Sequence, residues 1–321
     1  MMTVHIILFI AGFALLIYGA NWLVNGASSL SKRFNISNIV IGLTVVALGT
    51  SSPELVVNLV ASIKGNADVA MGNILGSNVS NIFLILGISA LVFPLAVNKN
   101  TRNKEIPLAL LAAIILGIVA NDKLIDGISE SFIRRSDGIV LASFFILFMV
   151  YTFSIARHKG TTEIPVIKSY PPWKSILLVM AGIGGLILGG KWIVDGAVEV
   201  ASWAGMREAT ISLTIVAIGT SLPELATCVV AAKKRNTDLV IGNVIGSNIF
   251  NVFFVLGISA TIKPIPFDRA LNYDIGAGII AVALLLIFVL FPRKRLSKWQ
   301  GAFFILLYAI YITILVVRDI L

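Results

Sequence analysis

Charge is the property this sequence has least of. Only 13% of its 321 residues are Asp, Glu, Lys or Arg, against about a quarter in a soluble domain, while 58% are hydrophobic and the mean hydropathy is +0.97. A water-exposed surface cannot be built from so few charges, so a soluble domain is excluded and a membrane protein is expected. Cysteine occurs once, as Cys228, which rules out an intrachain disulfide and any multi-cysteine metal site. The two histidines, His5 and His158, lie near the ends of apolar runs, leaving zinc or copper without the nitrogen and sulfur sets they prefer. There is no Walker-type phosphate loop to couple ATP, and no nucleophile and base pair of the kind an intramembrane enzyme needs. Neither an enzyme nor a bound cofactor is expected.

Long apolar runs are what the chain has in abundance. A span of a ~30 Å hydrocarbon core takes ~20 residues, and ten candidates lie near 4–25, 38–62, 69–93, 106–120, 137–156, 174–198, 209–232, 238–260, 273–291 and 299–318. The opening MMTVHIILFI has no basic region and no small-residue cleavage site after it, so it reads as a span and not as a signal peptide. The net charge of +9 does not point to nucleic acid, because the basic residues are dispersed among short loops. With ten spans, sixteen of the 25 fall on one side, among them Lys32, Arg33, Lys233, Lys234 and Arg235; eight fall on the other, and Lys191 lies within the sixth span. The richer side is cytoplasmic by the positive-inside rule, which places both termini outside a multi-pass cell-membrane protein.

The chain is also internally repeated. Residues 41–90 and 211–260 align without a gap at an offset of 170 with 28 identities in 50 positions, and the offset also pairs Gly19 with Gly189, Trp22 with Trp192 and Gly26 with Gly196. Five spans per half is an odd number, so the second copy enters the bilayer from the opposite face, giving inverted topology. The expected organisation is one five-helix repeat over 1–156, a cytoplasmic connector over 157–173, and a second, inverted repeat over 174–321. Repetition kept only as scaffold would match apolar packing residues. Here Thr50/Thr220, Ser51/Ser221, Pro53/Pro223, Glu54/Glu224, Asn73/Asn243, Ser77/Ser247, Asn78/Asn248 and Asn81/Asn251 match, all polar or helix-breaking groups inside spans, which is the signature of a transport site.

Two motifs carry the chemistry. GTSSPE at 49–54 and GTSLPE at 219–224 each put a proline and a glutamate in a span. Proline has no N–H and crowds the carbonyl one turn earlier, so both helices should break, freeing carbonyls near Ala47, Gly49, Ala217 and Gly219. With the hydroxyls of Thr50, Thr220, Ser51 and Ser221 and the carboxylates of Glu54 and Glu224, they form an all-oxygen set suited to a hard cation. Calcium, taking six to eight oxygens at about 2.3–2.6 Å with tolerance for irregular geometry, fits better than magnesium. GNILGSNVSN at 72–81 and GNVIGSNIFN at 242–251 supply glycines for close helix approach and Ser77, Ser247, Asn81 and Asn251 within reach of the glutamates; Asn73, Asn78, Asn243 and Asn248 are expected to hydrogen-bond between helices. Two carboxylates give −2, which one Ca²⁺ neutralises and three Na⁺ overshoot by one, so stoichiometry is left open. Without cations the carboxylates repel, so proton competition is expected. Asp68 and Asp238 are expected to cap the third and eighth helices, and Asp195 to pack or be solvated near the end of the sixth.

These paired motifs in inverted halves resemble the alpha repeats of the calcium/cation antiporter superfamily, and nearly the whole chain is similar to prokaryotic sodium/calcium exchangers. The resemblance implies an all-α membrane protein of ten transmembrane helices in two inverted five-helix repeats, with discontinuous helices 2, 3, 7 and 8 around a midplane cation site. It also implies two long tilted helices, here 4–25 and 174–198, sliding across an eight-helix core. Four cation positions follow, with calcium and one sodium built on Glu54 and Glu224. Ala47, Thr50 and Ser77 would join one flanking sodium position, Ala217, Thr220 and Ser247 its mirror image, and Asn81 and Asn251 would border the centre. Some members carry aspartate where Asn251 stands, which weakens a potassium-dependent or proton-driven reading. The partners implied are Na⁺, Ca²⁺ and lipid, with no nucleic acid and no obligatory protein. An H⁺/Ca²⁺ antiporter is the alternative; a passive cation channel is disfavoured because inverted repeats suit alternating access.

Overall fold

The computed structural model describes residues 2–127, 130–156, 169–203, 217–290 and 295–320. Its main helices are α1 (Met2–Phe34), α2 (Asn38–Thr50), α3 (Ser52–Lys64), α4 (Ala67–Val92), α5 (Ile106–Val119), α6 (Arg135–Ile155), α7 (Pro172–Trp203), α8 (Ala217–Thr220), α9 (Leu222–Lys233), α10 (Thr237–Ile262), α11 (Asn272–Leu290) and α12 (Lys298–Ile320). Among the described residues, seven helices are long and apolar enough to cross a membrane, or eight if α2 and α3 count as one bent span. The chain is therefore a multi-pass helical membrane protein. The short run expected at 106–120 is the 14-residue α5, preceded by a π turn at Thr101–Glu105, and the start of the run expected at 209–232 lies outside the described residues. So does most of the 157–173 connector.

The α2–α3 break falls at Ser51 (φ −83°, ψ 11°), with a 49° bend, two residues ahead of Pro53. Pro53 then sits in the first turn of α3, where a missing N–H is no loss. Ser221 and Pro223 repeat this arrangement between α8 and α9. The carbonyl left without its helical donor is that of Gly49, since Ala47 O still accepts from Ser51 N at 2.9 Å. This corrects the expectation that both carbonyls are released.

The other two discontinuous helices are also corrected. α4 and α10 run unbroken for 26 residues each, and their irregularity is a π turn, at Asn81–Leu86 and at Asn251–Leu256. A π turn shifts the side-chain register without opening the backbone, and such turns recur at functional positions. The N-caps are Asn66 and Asn236, which accept from Val69 N and Leu239 N at 3.3 Å, in place of the expected aspartates, while Asp68 and Asp238 stand in the first turn, where a carboxylate favours the helix dipole as expected. Asp195 is exposed and paired with Lys191 Nζ at 2.6 Å.

Burial orders the bundle. The apolar window of α10 is 94% buried and that of α4 78%, against 22% for α6 and 17% for α12, so α4 and α10 form the centre and the others shield it from lipid. α1 and α7 lie antiparallel along one another, with Gly12 against Gly189, Gly19 against Gly182 and Gly185, and Gly26 against Ser175 and Val179. A Cβ on Gly182 would come 2.5 Å from Leu23 N, so this approach requires glycine. α2 meets α10 the same way, through Gly42 and Gly242, and Ala47 packs where a Cβ on Gly246 would stand. Gly72 and Gly76, expected to do likewise, meet nothing within 4 Å among the described residues. Two short antiparallel pairs, β1 (Leu95–Ala96) with β4 (Arg295–Leu296) and β2 (Phe132–Ile133) with β3 (Ile265–Pro266), fasten helix ends together.

Candidate cation site

The breaks at Ser51 and Ser221 are followed one turn later by Glu54 and Glu224, and both are buried in the bundle. Each glutamate is 1% exposed. Ser51 Oγ lies 2.8 Å from Glu224 Oε1, to which it donates, and 2.9 Å from Ser247 Oγ. Ser77 donates to Glu54 Oε1 at 3.5 Å and lies 3.4 Å from Ser221 Oγ. The two carboxylates thus share one cluster, each linked to the other half of the sequence through a serine at a helix break.

The threonines are anchored across the halves as well. Thr50 Oγ1 donates to Asn243 Oδ1 at 3.1 Å and Thr220 Oγ1 to Asn73 Oδ1 at 3.4 Å. Asn73 also donates to Glu54 O at 3.3 Å, and Asn243 to Cys228 Sγ at 3.3 Å. The central asparagines form a chain with Asn81 and Asn251 at its ends: Asn81 Nδ2 donates to Asn248 Oδ1 at 2.9 Å and Asn251 Nδ2 to Asn78 Oδ1 at 3.1 Å, while Asn78 and Asn248 donate to one another's backbone carbonyls at 3.5 and 3.2 Å. The expectation that Asn73, Asn78, Asn243 and Asn248 bond between helices is met. All twelve expected site residues but one have described surroundings here; Ala217 opens α8, and its side chain lies outside the described set.

What the cluster lacks is donors. Glu54 Oε2, Glu224 Oε2, Asn81 Oδ1 and Asn251 Oδ1 are buried acceptors with no hydrogen-bond partner among the described residues. A buried polar atom without a partner costs about 1–3 kcal/mol, and more if charged. Four such oxygens, from two pairs of positions 170 apart, are of the type a hard cation takes, and no ion pair among the described residues involves either glutamate. No group of three or more His, Cys, Asp or Glu occurs among the described residues, so any metal here would bind to carboxylate, amide and hydroxyl oxygens together.

The sodium/calcium exchanger protein family matches residues 4–154 and 174–317. The chain belongs to that family. This exchanger is 36% identical over 308 residues to the inner membrane protein YrbG of Escherichia coli, covering 92% of this chain and 90% of that one. It is 26% identical over 347 residues to the sodium/calcium exchanger MaX1 of Methanosarcina acetivorans, covering 98% and 99%. A solved structure of the sodium-calcium exchanger NCX_Mj, soaked with Na⁺ and Sr²⁺, superposes with a TM-score of 0.85 at 33% identity, covering 98% of this chain and 99% of that one. As a member of an exchanger family, the protein is a transporter and not an enzyme.

Two buried carboxylates escaped the sequence reading. Glu105 accepts from Tyr151 OH at the start of α5, and Asp274 accepts from Tyr311 OH at 2.8 Å and faces Arg318 at 3.8 Å at the start of α11. Asp274 lines a cavity of about 20 Å³, roughly one water, together with Asn78 and Asn248, the inner pair of the asparagine chain. The available signal was an acidic residue at the mouth of an apolar run in each half. They lie 169 positions apart, one residue off the repeat offset, so the gapless alignment at 170 does not pair them.

Proposed function

We propose that this exchanger is a secondary antiporter that moves Ca²⁺ across the membrane against Na⁺ by alternating access, with Glu54 and Glu224 holding the cations in turn. The observation that carries the reading is the set of four unpartnered buried oxygens on Glu54, Glu224, Asn81 and Asn251. Two carboxylates supply −2 and the asparagines supply nothing, so one Ca²⁺ leaves the centre neutral, with the low cost that a buried neutral site implies. Thr50, Ser77 and Ala47 contribute oxygens to one flanking Na⁺ position, and Thr220, Ser247 and Ala217 to its mirror image. Ser51 and Ser221 steer the carboxylates. The names of MaX1 and NCX_Mj, which both specify sodium and calcium, support the same ion pair.

The architecture that serves this mechanism is ten spans in two inverted halves, 1–156 and 174–321, joined by a cytoplasmic connector, with both termini outside. The offset of 170 and the pairing of matched residues across the cluster support it. The close glycine contacts of α1 with α7, Gly12 with Gly189 and Gly19 with Gly182 and Gly185, suit two helices that move together as one pair over the core. Transport needs only the bilayer and the two ions, with no further protein partner and no cofactor.

The test is calcium uptake into proteoliposomes under imposed Na⁺, K⁺ or pH gradients in turn. Uptake driven by an outward Na⁺ gradient is expected. Uptake driven only by pH would replace the reading with H⁺/Ca²⁺ antiport, and uptake requiring no counter-ion would make the protein a channel.

A further inference from the structure

A hydroxyl has one proton and two lone pairs, and it can bind a cation only with the lone pairs. A threonine at a cation site therefore needs an acceptor elsewhere for its proton. Thr50 has three within reach: Asn243 Oδ1 at 3.1 Å, its own helix's Ala47 O at 3.5 Å, and the Glu224 carboxylate. A cation on Glu224 would claim the carboxylate's lone pairs and repel a hydroxyl proton pointed at it. Asn243 is the nearest acceptor that remains. Thr220 stands in the same relation to Asn73, whose Oδ1 accepts from it at 3.4 Å.

We infer that Asn73 and Asn243 are positioning residues for transport: each takes the hydroxyl proton of the other half's threonine, Thr220 and Thr50 respectively, and so turns that threonine's oxygen lone pairs toward the cation. Neither asparagine touches the ion. Each can do this because its amide nitrogen is engaged on the far side, which fixes which end of the carboxamide faces the threonine. Asn73 Nδ2 donates to Glu54 O, on the same turn as the carboxylate, and Asn243 Nδ2 donates to Cys228 Sγ. Sulfur is a weak acceptor and a backbone carbonyl a strong one. The Thr50 side is consequently held by the softer anchor, although Asn243 itself is fully buried. The asymmetry traces to one position, since the residue matched to Cys228 in the first half is Asn58, which turns away to donate to Ser259 Oγ at 3.0 Å.

The inference rests on the proposed placement of Thr50 at a sodium position, and a double-mutant cycle separates the two. Asn243→Leu removes the acceptor at similar volume, and Thr50→Val removes the hydroxyl. Purified full-length protein in proteoliposomes is assayed for the Na⁺ concentration giving half-maximal calcium exchange, and for calcium–calcium exchange without Na⁺, which also reports folding. Asn243→Leu alone is expected to raise half-saturating Na⁺ about tenfold, the scale of one well-placed hydrogen bond, and to leave calcium–calcium exchange within about threefold. In the Thr50→Val background the same substitution should add little. Asn243→Asp, which keeps the acceptor, should retain the Na⁺ dependence that Asn243→Leu loses. An undiminished effect of Asn243→Leu in the Thr50→Val background would show that the asparagine acts independently of the hydroxyl, and would overturn the inference. So would equal losses in both assays for Asn243→Leu and Asn243→Asp. Absence of any Na⁺ dependence in the wild type would instead overturn the proposed antiport; the cycle is then read on the concentration dependence of calcium exchange, where additive effects of the two substitutions would count against the positioning role.

Discussion

Ser51 and Glu224 lie 173 positions apart in the sequence and 2.8 Å apart in the structure, joined by a hydrogen bond from the serine Oγ to Glu224 Oε1. Among the described residues the matched Ser221 has no such direct bond: it lies 3.4 Å from Ser77, which in turn donates to Glu54. In this arrangement the two halves are chemically alike and geometrically unequal. Ser51→Ala is expected to weaken calcium binding by about 1–2 kcal/mol, roughly tenfold, because it strips a direct bond from a buried carboxylate. Ser221→Ala should cost less. Calcium titrations of the two purified variants check the order, and equal losses would contradict it.

Position 251 is committed to donating, since Asn251 Nδ2 reaches Asn78 Oδ1 at 3.1 Å. An ionised aspartate there would set two acceptors against one another, and only its protonated form could replace the bond. For Asn251→Asp the ratio of variant to wild-type calcium exchange is expected to change with pH while the fold is kept, because the variant adds a group that titrates where the wild type has none. A ratio that stays flat from acid to alkaline pH would count against this role for position 251.

The α1–α7 contact offers a stability test. Gly182→Ala places a Cβ 2.5 Å from Leu23 N and 2.8 Å from Gly19 O, both backbone atoms that cannot turn aside, whereas Gly184, two residues on, has open space among the described residues. Gly182→Ala should destabilise the protein by about 1–3 kcal/mol, and Gly184→Ala should be neutral or slightly stabilising. Thermal unfolding in detergent distinguishes them.

The helix caps differ in what they hold besides the helix. Asn66 is exposed and caps α4 alone, while Asn236 is buried, caps α10 and also donates to Ser28 Oγ of α1 at 3.0 Å. Asn66→Ala is expected to cost about 1 kcal/mol, the ordinary value of a cap, and Asn236→Ala measurably more. Denaturant or thermal melts of the pair provide the comparison.

Lys234, in the turn after α9, donates to Asn25 of α1 at 2.9 Å, and burial pulls its ammonium down to about 8 from the ordinary lysine range. Desolvation disfavours the charged form in the folded protein, so folding releases a proton between about 8 and the unfolded value of about 10.4. Stability contributed through this group therefore rises with pH across that window and is flat below it. Because the side chain is partly solvated, the effect is modest. The amine should titrate near 8 by NMR of the isotopically methylated protein, and Asn25→Leu, which removes the acceptor, should shift that midpoint further down.

Much of the site was legible in the sequence for a definite reason. Glu54, Glu224, Ser51, Ser221 and the asparagine motifs stand out because a polar group inside an apolar run has few explanations, and because a gapless repeat marks the same positions twice. Proline chemistry likewise announced that two helices are interrupted. Local rules erred where two of them competed. Proline at 53 was compatible with the first turn of a new helix, so the break falls at Ser51, and the discontinuity that the family resemblance implied for α4 is a π turn at Asn81–Leu86.

Sequence alone settled the solvent this protein lives in, the duplicated pattern and the identity of the acidic pair, because hydropathy, spacing and side-chain chemistry are properties of the residues themselves. Tertiary structure decided which amide faces which hydroxyl, that Asn66 and not Asp68 caps its helix, and that Glu105 and Asp274 find tyrosines 46 and 37 residues away. Those outcomes depend on distances between helices brought together by packing, where a few tenths of an ångström separate a hydrogen bond from a bare contact, and no periodicity along the chain encodes them.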